Sequence, residues 1–204
     1  MTFLIYIYVS HSKGEKSLYK YFKFIIIILI FIIIIIAAKI MNIQNVILKQ
    51  IYPIKYSEYV EKYAKEYNVD PLLVYSIMKA ESNFKEDAKS SSGAKGLMQL
   101  MDATAKEIAN QIDEPIDESE FLIEPEKNIM IGTKYYSYLL DNYGGNMLLA
   151  LSAYNAGIGN VNSWIEEGII KPDGSDIENI PFKETNMYVR KIVNNYKMYQ
   201  KLYT

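Results

Sequence analysis

The most pronounced pattern in the chain is a block with no polar position. Phe24 to Ala38 reads FIIIILIFIIIIIAA, 15 successive apolar residues. As a helix this block reaches only about 22 Å, short of the ~30 Å hydrocarbon core of a bilayer. Its flanks extend it: Tyr21 and Phe22 on one side, Ile40 and Met41 on the other, with Lys23 and Lys39 long enough to send their ammonium groups to the headgroups. A helix with isoleucine on every face has no polar stripe for water, which disfavours a core helix of a soluble domain. Lys13, Lys16, Lys20 and Lys23 precede the block, which predicts a cytoplasmic N-terminus and an exported body. A cleaved signal peptide is the competing reading, because Ala37 and Ala38 are small. Lys39 follows directly and no Ala-x-Ala pattern is present, which favours a single-pass anchor; cleavage would leave a secreted protein. The chain is thus expected to divide into a cytoplasmic segment 1–22, a transmembrane segment 23–41, a stalk 42–55 and one domain over 56–204.

Beyond the anchor the apolar positions follow the helical period. Tyr56, Tyr59, Val60, Tyr63, Ala64 and Tyr67 share one face, with Ser57 as candidate N-cap and Asn68 as a left-handed stop. Asp70 and Pro71 suit the cap and first position of a second helix, ending near Ser82. Asp102 is the candidate cap of a third, through Asn110. Ile129, Gly132, Tyr136, Leu139, Leu140 and Tyr143 mark a long fourth that Gly144 and Gly145 terminate. A fifth runs from Asn146 to Gly157, a short one surrounds Trp164, and a last long one begins near Thr185 with Tyr188, Val189, Ile192, Val193, Tyr196 and Tyr199 on one face. Only Gly93 to Met101 has the character of a small hairpin or extended loop. Glu114 to Pro125 and Lys171 to Pro181 read as surface connections. The fold class is mainly α, with one apolar N-terminal helix.

Charge and composition remove several chemistries. Residues 42–204 carry 17 Lys plus Arg against 23 Asp plus Glu, and an acidic body argues against a nucleic-acid partner. There is no cysteine, and the only histidine, His11, precedes the apolar block. Thiol nucleophiles, Ser-His-Asp catalysis and Cys- or His-ligated zinc are therefore excluded. Any hydrolytic chemistry rests on carboxylates. Glu81 stands out among these, because Val74, Ile77 and Met78 lie one and two turns before it on the same face. A carboxyl continuing an apolar stripe has its pKa raised toward neutrality, as a general acid requires. The alternative is a glutamate at a helix end that swings into solvent.

The residues around Glu81 break this tie. Glu81-Ser82, Ser90 with the segment GAKGLMQLM (Gly93 to Met101), AYNAG (Ala153 to Gly157) and ETNMYV (Glu184 to Val189) occur in this order. Together they resemble the soluble-type lytic transglycosylases, whose catalytic domain has a goose-type-lysozyme-like fold. The resemblance implies that Glu81 is the catalytic acid/base. It implies that Ser90, Gln99 and Met101 line the cleft, that Tyr154 and Asn155 hold the substrate near the scissile bond, and that Glu184 and Tyr188 close the groove from the other side. The family usually has proline where this chain has Asp102. On bland readings, Leu97 and Leu100 are core, Asn155 is a helix cap, Asp87 is a loop residue and most tyrosines are packing residues. Gln99, an amide amid apolar residues, needs hydrogen-bond partners that a sugar or the catalytic carboxyl would supply.

The implied substrate is the glycan strand of peptidoglycan, cut between N-acetylmuramic acid and N-acetylglucosamine to leave a 1,6-anhydro end, with no metal and no organic cofactor. Two alternatives remain at this stage. One is a muramidase of the same fold, with a loop carboxylate positioning water, and the other is a non-catalytic peptidoglycan-binding protein.

Overall fold

The computed structural model of the chain describes the backbone of residues 2–114 and 121–204, and the side chains of 23–114 and 122–204. The side chains of the N-terminal segment 1–22 and most of the predicted acidic connection Glu114 to Pro125 lie outside the described residues. Two compact units are present, Met1–Ile51 and Tyr52–Thr204.

The first unit is a single helix, α1 (Thr2–Ile51). Its Lys23–Ile51 portion is long and apolar enough to cross a membrane. Residues 42–51, expected to begin a stalk, continue this helix unbroken, and irregular backbone is confined to 52–56.

The second unit is built from α2 (Ser57–Glu66), α3 (Pro71–Glu81), α4 (Asp102–Gln111), α5 (Pro125–Asn142), α6 (Met147–Ala156), α7 (Ile158–Glu166) and α8 (Lys183–Tyr203), with single 3-10 turns at Phe121–Ile123 and Ile177–Asn179. α3 is central. Leu73 to Met78 are six consecutive buried residues, a pattern expected of a helix surrounded on all sides. It packs along α8 and against α2. α6 is the second inner helix, buried from Leu149 to Ala153, and is flanked by α5, α7 and α8. Val60, Ile77, Leu97, Ile129, Leu139, Val161, Val189 and Ile192 join these helices in one core, each aliphatic side chain contributing about 1.5–3 kcal/mol by burial.

Most helix boundaries follow the expected signals. The Asp70 carboxylate accepts from Leu72 N at 2.8 Å, Pro71 opens α3, and Asn146 Oδ1 accepts from Leu148 N and Leu149 N to open α6. Asn68 is left-handed, and Gly145 N donates to Leu140 O past the end of α5. Two expected caps are not formed. Ser57 is already the first helical residue of α2, because Tyr56 before it takes the left-handed conformation at φ 57° and occupies the cap position itself. Asp102 is likewise inside α4, behind Met101 at the cap, and its carboxylate is drawn away by Lys95 Nζ at 2.8 Å from both oxygens.

Gly93 to Met101 forms no ladder. It is a compact loop carrying two isolated bridges, Lys89 to Lys95 and Lys95 to Leu100. Gly96 explains its shape: φ is +77°, and a Cβ there would lie 2.1 Å from Leu122 O and 2.2 Å from Asn128 Nδ2. Gly96→Ala therefore combines backbone strain with a clash against main chain. It is expected to lower stability by about 3 kcal/mol, read as a fall in the urea midpoint with an unchanged slope.

Candidate active site

Both inner helices end at the same place. α3 finishes with Glu81, and α6 finishes with Tyr154, Asn155 and Ala156. α8 runs past these ends and supplies Tyr188, whose hydroxyl donates to Glu81 Oε1 at 2.6 Å across 107 positions of sequence. Glu81 is half-buried rather than solvated. Burial raises its pKa to about 7, against smaller opposing effects from the Tyr188 hydrogen bond and the Lys191 charge. The environment thus favours a neutral carboxyl at a pH where ordinary glutamates are ionised. Burial also pushes the Tyr154 and Tyr188 phenols well above their ordinary value, so both remain protonated donors. Among the described residues no cluster of three His, Cys, Asp or Glu side chains converges in a metal-binding group.

The loop before α4 is held beneath this group by side chains from three directions. Ser82 Oγ donates to Leu97 O at 2.8 Å, which ties the end of α3 to the loop. Tyr154 Oη donates to Met98 O at 2.8 Å from α6. From α5, the fully buried Asn128 accepts from Met98 N at 2.7 Å and donates to Lys95 O at 3.0 Å and Leu122 O at 2.8 Å. Met98 packs over Gly132, where an added Cβ would be 2.5 Å from its sulfur. Main-chain groups of a buried loop need such partners, because an unpaired one loses its hydration without compensation.

Five of the expected site residues fall into two groups. Glu81, Tyr154 and Tyr188 converge, the phenols being close enough to feel the Glu81 charge. Asn155, Glu184, Ala156, Phe182, Lys183 and Thr185 line an open recess of about 380 Å³. Asn155 is no helix cap: its Oδ1 accepts from Thr185 Oγ1 at 2.7 Å, which joins α6 to the first turn of α8. Gln99 departs from expectation in its partners. It sits at φ 48°, and its Nε2 donates to Ala88 O at 3.1 Å and Gly96 O at 2.9 Å. Backbone carbonyls of its own loop, rather than the carboxyl, meet its need. Ser90 closes the preceding turn by accepting from Ala94 N through its hydroxyl, and Met101 is 44% exposed at the start of α4.

A family model, the Transglycosylase SLT domain, matches residues 58–173. The chain belongs to this family. The soluble lytic murein transglycosylase of Salmonella typhimurium is 34% identical over 148 residues, which cover 72% of this chain and 23% of that protein. Membrane-bound lytic murein transglycosylase C of Edwardsiella ictaluri is 30% identical, with coverage of 72% and 47%. Among solved structures, lytic transglycosylase Slt of Pseudomonas aeruginosa, an inactive glutamate-to-glutamine mutant, superposes with a TM-score of 0.70 at 36% identity, covering 76% of this chain and 25% of that one. The 70 kDa soluble lytic transglycosylase of Escherichia coli gives 0.69 at 30% identity with the same coverage. The chain therefore spans about a quarter of the soluble relatives and about half of the membrane-bound one. The fold is the lysozyme-like fold of the SLT domain, and α8 with Tyr188 lies beyond the stretch that the family model matches.

Asn128, Thr185 and the contact from Tyr188 to Glu81 were not visible as site features in the sequence. Asn128 follows Glu126 and Lys127, so the apolar run Ile129 to Ile131 on one side only is a weaker signal than the apolar surroundings of Gln99.

The raised pKa of Glu81 has a consequence for stability. The folded state holds this proton more tightly than the unfolded chain, so the contribution favours the fold below about pH 4.5 and is lost as pH rises toward 7. Glu81→Gln removes the ionisable group. The variant is expected to be more stable than wild type at pH 8 by up to about 3 kcal/mol and nearly equal at pH 4, measured by urea unfolding at both pH values. Tyr188→Phe deletes the bond that favours the charged form, so the Glu81 carboxyl should titrate above its wild-type pH, as followed by 13C NMR.

Proposed function

We propose that this protein is a peptidoglycan lytic transglycosylase that cleaves the β-1,4 bond between N-acetylmuramic acid and N-acetylglucosamine and leaves 1,6-anhydromuramyl ends. The observation that carries the reading is the Glu81 carboxyl, poised near pH 7 by burial and bonded at 2.6 Å to Tyr188. Most glycosidases work with two carboxylates flanking the bond. Among the described residues, the polar groups that act on Glu81 are a phenol and an ammonium. That environment supports a reaction in which the substrate supplies the second group.

In this reading the neutral Glu81 protonates the glycosidic oxygen as the C1–O bond breaks, and the acetamido group of the muramyl sugar stabilises the charge that develops at C1. The resulting carboxylate then takes the proton of the muramyl C6 hydroxyl, which attacks C1. The enzyme returns to its starting protonation, and water is not consumed. Tyr188 stays hydrogen-bonded to the carboxyl through both transfers, and the proton shuttle requires only a small change in Glu81 itself. Ser90, Gln99, Met101, Tyr154, Asn155, Glu184 and Tyr188 form the cleft wall. Gln99 and Tyr154 do so by fixing the loop from Gly93 to Met101, while Asn155 and Glu184 face the recess that receives the glycan. Orientation of the sugar by this wall lowers the barrier further.

The apolar portion of α1, together with relatives named as membrane-bound, supports membrane association. The further reading is a single-pass anchor with a cytoplasmic N-terminus and the domain over 56–204 on the extracytoplasmic side, where its substrate lies. The sequence division 1–22, 23–41 and 42–55 is part of that reading, with the helix carried on to Ile51.

Digestion of purified sacculi tests the function. Wild-type protein is expected to release anhydro-ended fragments, lighter by one water than reducing-end products in mass spectra, and Glu81→Gln should slow release by about a thousandfold. Reducing ends would establish a muramidase instead, and an undiminished Glu81→Gln enzyme would remove the catalytic reading. Since protonated Glu81 starts the reaction, the rate should fall about tenfold per pH unit above roughly pH 7.

A further inference from the structure

One turn beyond Tyr188 on α8, a second side chain reaches the end of α3, and the reaction scheme leaves it unused. Lys191 Nζ donates to the main-chain oxygen of Ala80 at 2.6 Å. Ala80 immediately precedes Glu81 in the last turn of α3, where carbonyls lack partners within the helix. A lysine at this point satisfies an orphan acceptor and sets positive charge at the negative end of the helix dipole. Tyr188 and Lys191, three positions apart and so on one face of α8, grip the end of α3 twice: once on the carboxyl and once on the adjoining backbone. The other groups facing Glu81 are the protonated phenols of Tyr154 from α6 and Tyr188 from α8. Lys79 on α3 has its pKa lowered by burial and secondarily by Lys191, so the two ammonium groups repel.

We propose that Lys191 is a positioning residue for transglycosylation: its ammonium, hydrogen-bonded to the terminal turn of the helix that carries Glu81, fixes that turn against α8 and holds the carboxyl at the Tyr188 hydroxyl. The proposal rests on the reading of Glu81 as the acid/base. The lysine acts on the reaction twice, mechanically through the Ala80 bond and electrostatically by favouring the carboxylate that forms after the first proton transfer. The second effect opposes desolvation, together with the Tyr188 hydrogen bond, and so lowers the pH at which the acid titrates.

Substitutions separate these effects. Lys191→Arg keeps charge and donor, Lys191→Gln keeps a donor without charge, and Lys191→Met keeps only an apolar stem. The full chain in detergent is assayed on sacculi across pH, with the Glu81 carboxyl followed by 13C NMR and assigned by its loss in Glu81→Gln. Lys191→Met is expected to lower kcat about tenfold with little change in KM, and to move the alkaline limb and the carboxyl titration upward by about half to one pH unit. Lys191→Gln should recover part of the rate with the limb still displaced, and Lys191→Arg should restore both. A Lys191→Met protein with wild-type kcat and an unmoved limb overturns the proposal. So does one whose rate falls only in step with its melting temperature while the carboxyl titrates unchanged. If wild type cuts no wall, the reading of Glu81 is lost and the proposal with it, whereas a wild type that cuts wall beside an unaltered Lys191→Met overturns the proposal alone.

Discussion

A carboxyl group that leaves water loses far more as an anion than as an acid, and the placement of Glu81 exploits this difference. Six consecutive buried residues bring α3 through the middle of the domain, and the helix ends at the half-buried Glu81. The side chain is carried by a rigid, fully packed element yet opens onto a surface. Its raised pKa follows chiefly from this position, with Tyr188 and Lys191 acting in the opposite direction. The balance leaves the group able both to give and to accept a proton near neutrality, which a single-residue acid/base cycle demands. Placement deeper in the core would lock the proton on, and placement in open solvent would strip it off.

The loop from Gly93 to Met101 shows how a segment without regular structure is made as firm as a strand. It has only isolated bridges, so its backbone groups look elsewhere for partners. Asn128 alone engages Met98 N, Lys95 O and Leu122 O, while Ser82 and Tyr154 take the carbonyls of Leu97 and Met98. Two of these anchors, Ser82 and Tyr154, lie at the ends of the inner helices. The loop is therefore registered against the same elements that present the acid, and an error in one would be an error in all.

Much of this was legible in the sequence, and the exceptions have physical causes. Helix positions came from apolar spacing, and the stops at Asn68 and at Gly144-Gly145 came from residues suited to left-handed backbone. The caps at Asp70 and Asn146 form because their second partners, the Tyr196 hydroxyl and Asp173 O, engage Asp70 Oδ2 and Asn146 Nδ2 and leave each Oδ1 for the first turn. Asp102 failed as a cap because Lys95, seven residues earlier, captures its carboxylate, and local sequence rules do not register a bond made through a folded loop. Glu81 could be picked out because its apolar neighbours are on its own helix. The partners that oppose the effect of burial come from α8 and could not be read from spacing alone. Gln99 was correctly marked as needing partners, but the direction of its amide depends on a positive φ that a glutamine does not advertise.

The bond between Tyr188 and Glu81 joins residues 107 positions apart, and the recess lined by Asn155 and Ala156 also takes in the first turn of α8. During synthesis from the N-terminus, α3 emerges long before its phenol. A partly synthesised chain has neither the phenol that meets Glu81 nor the α8 side of the recess. Contact between distant parts of the polypeptide thus completes the surroundings of Glu81 only when the last long helix has docked.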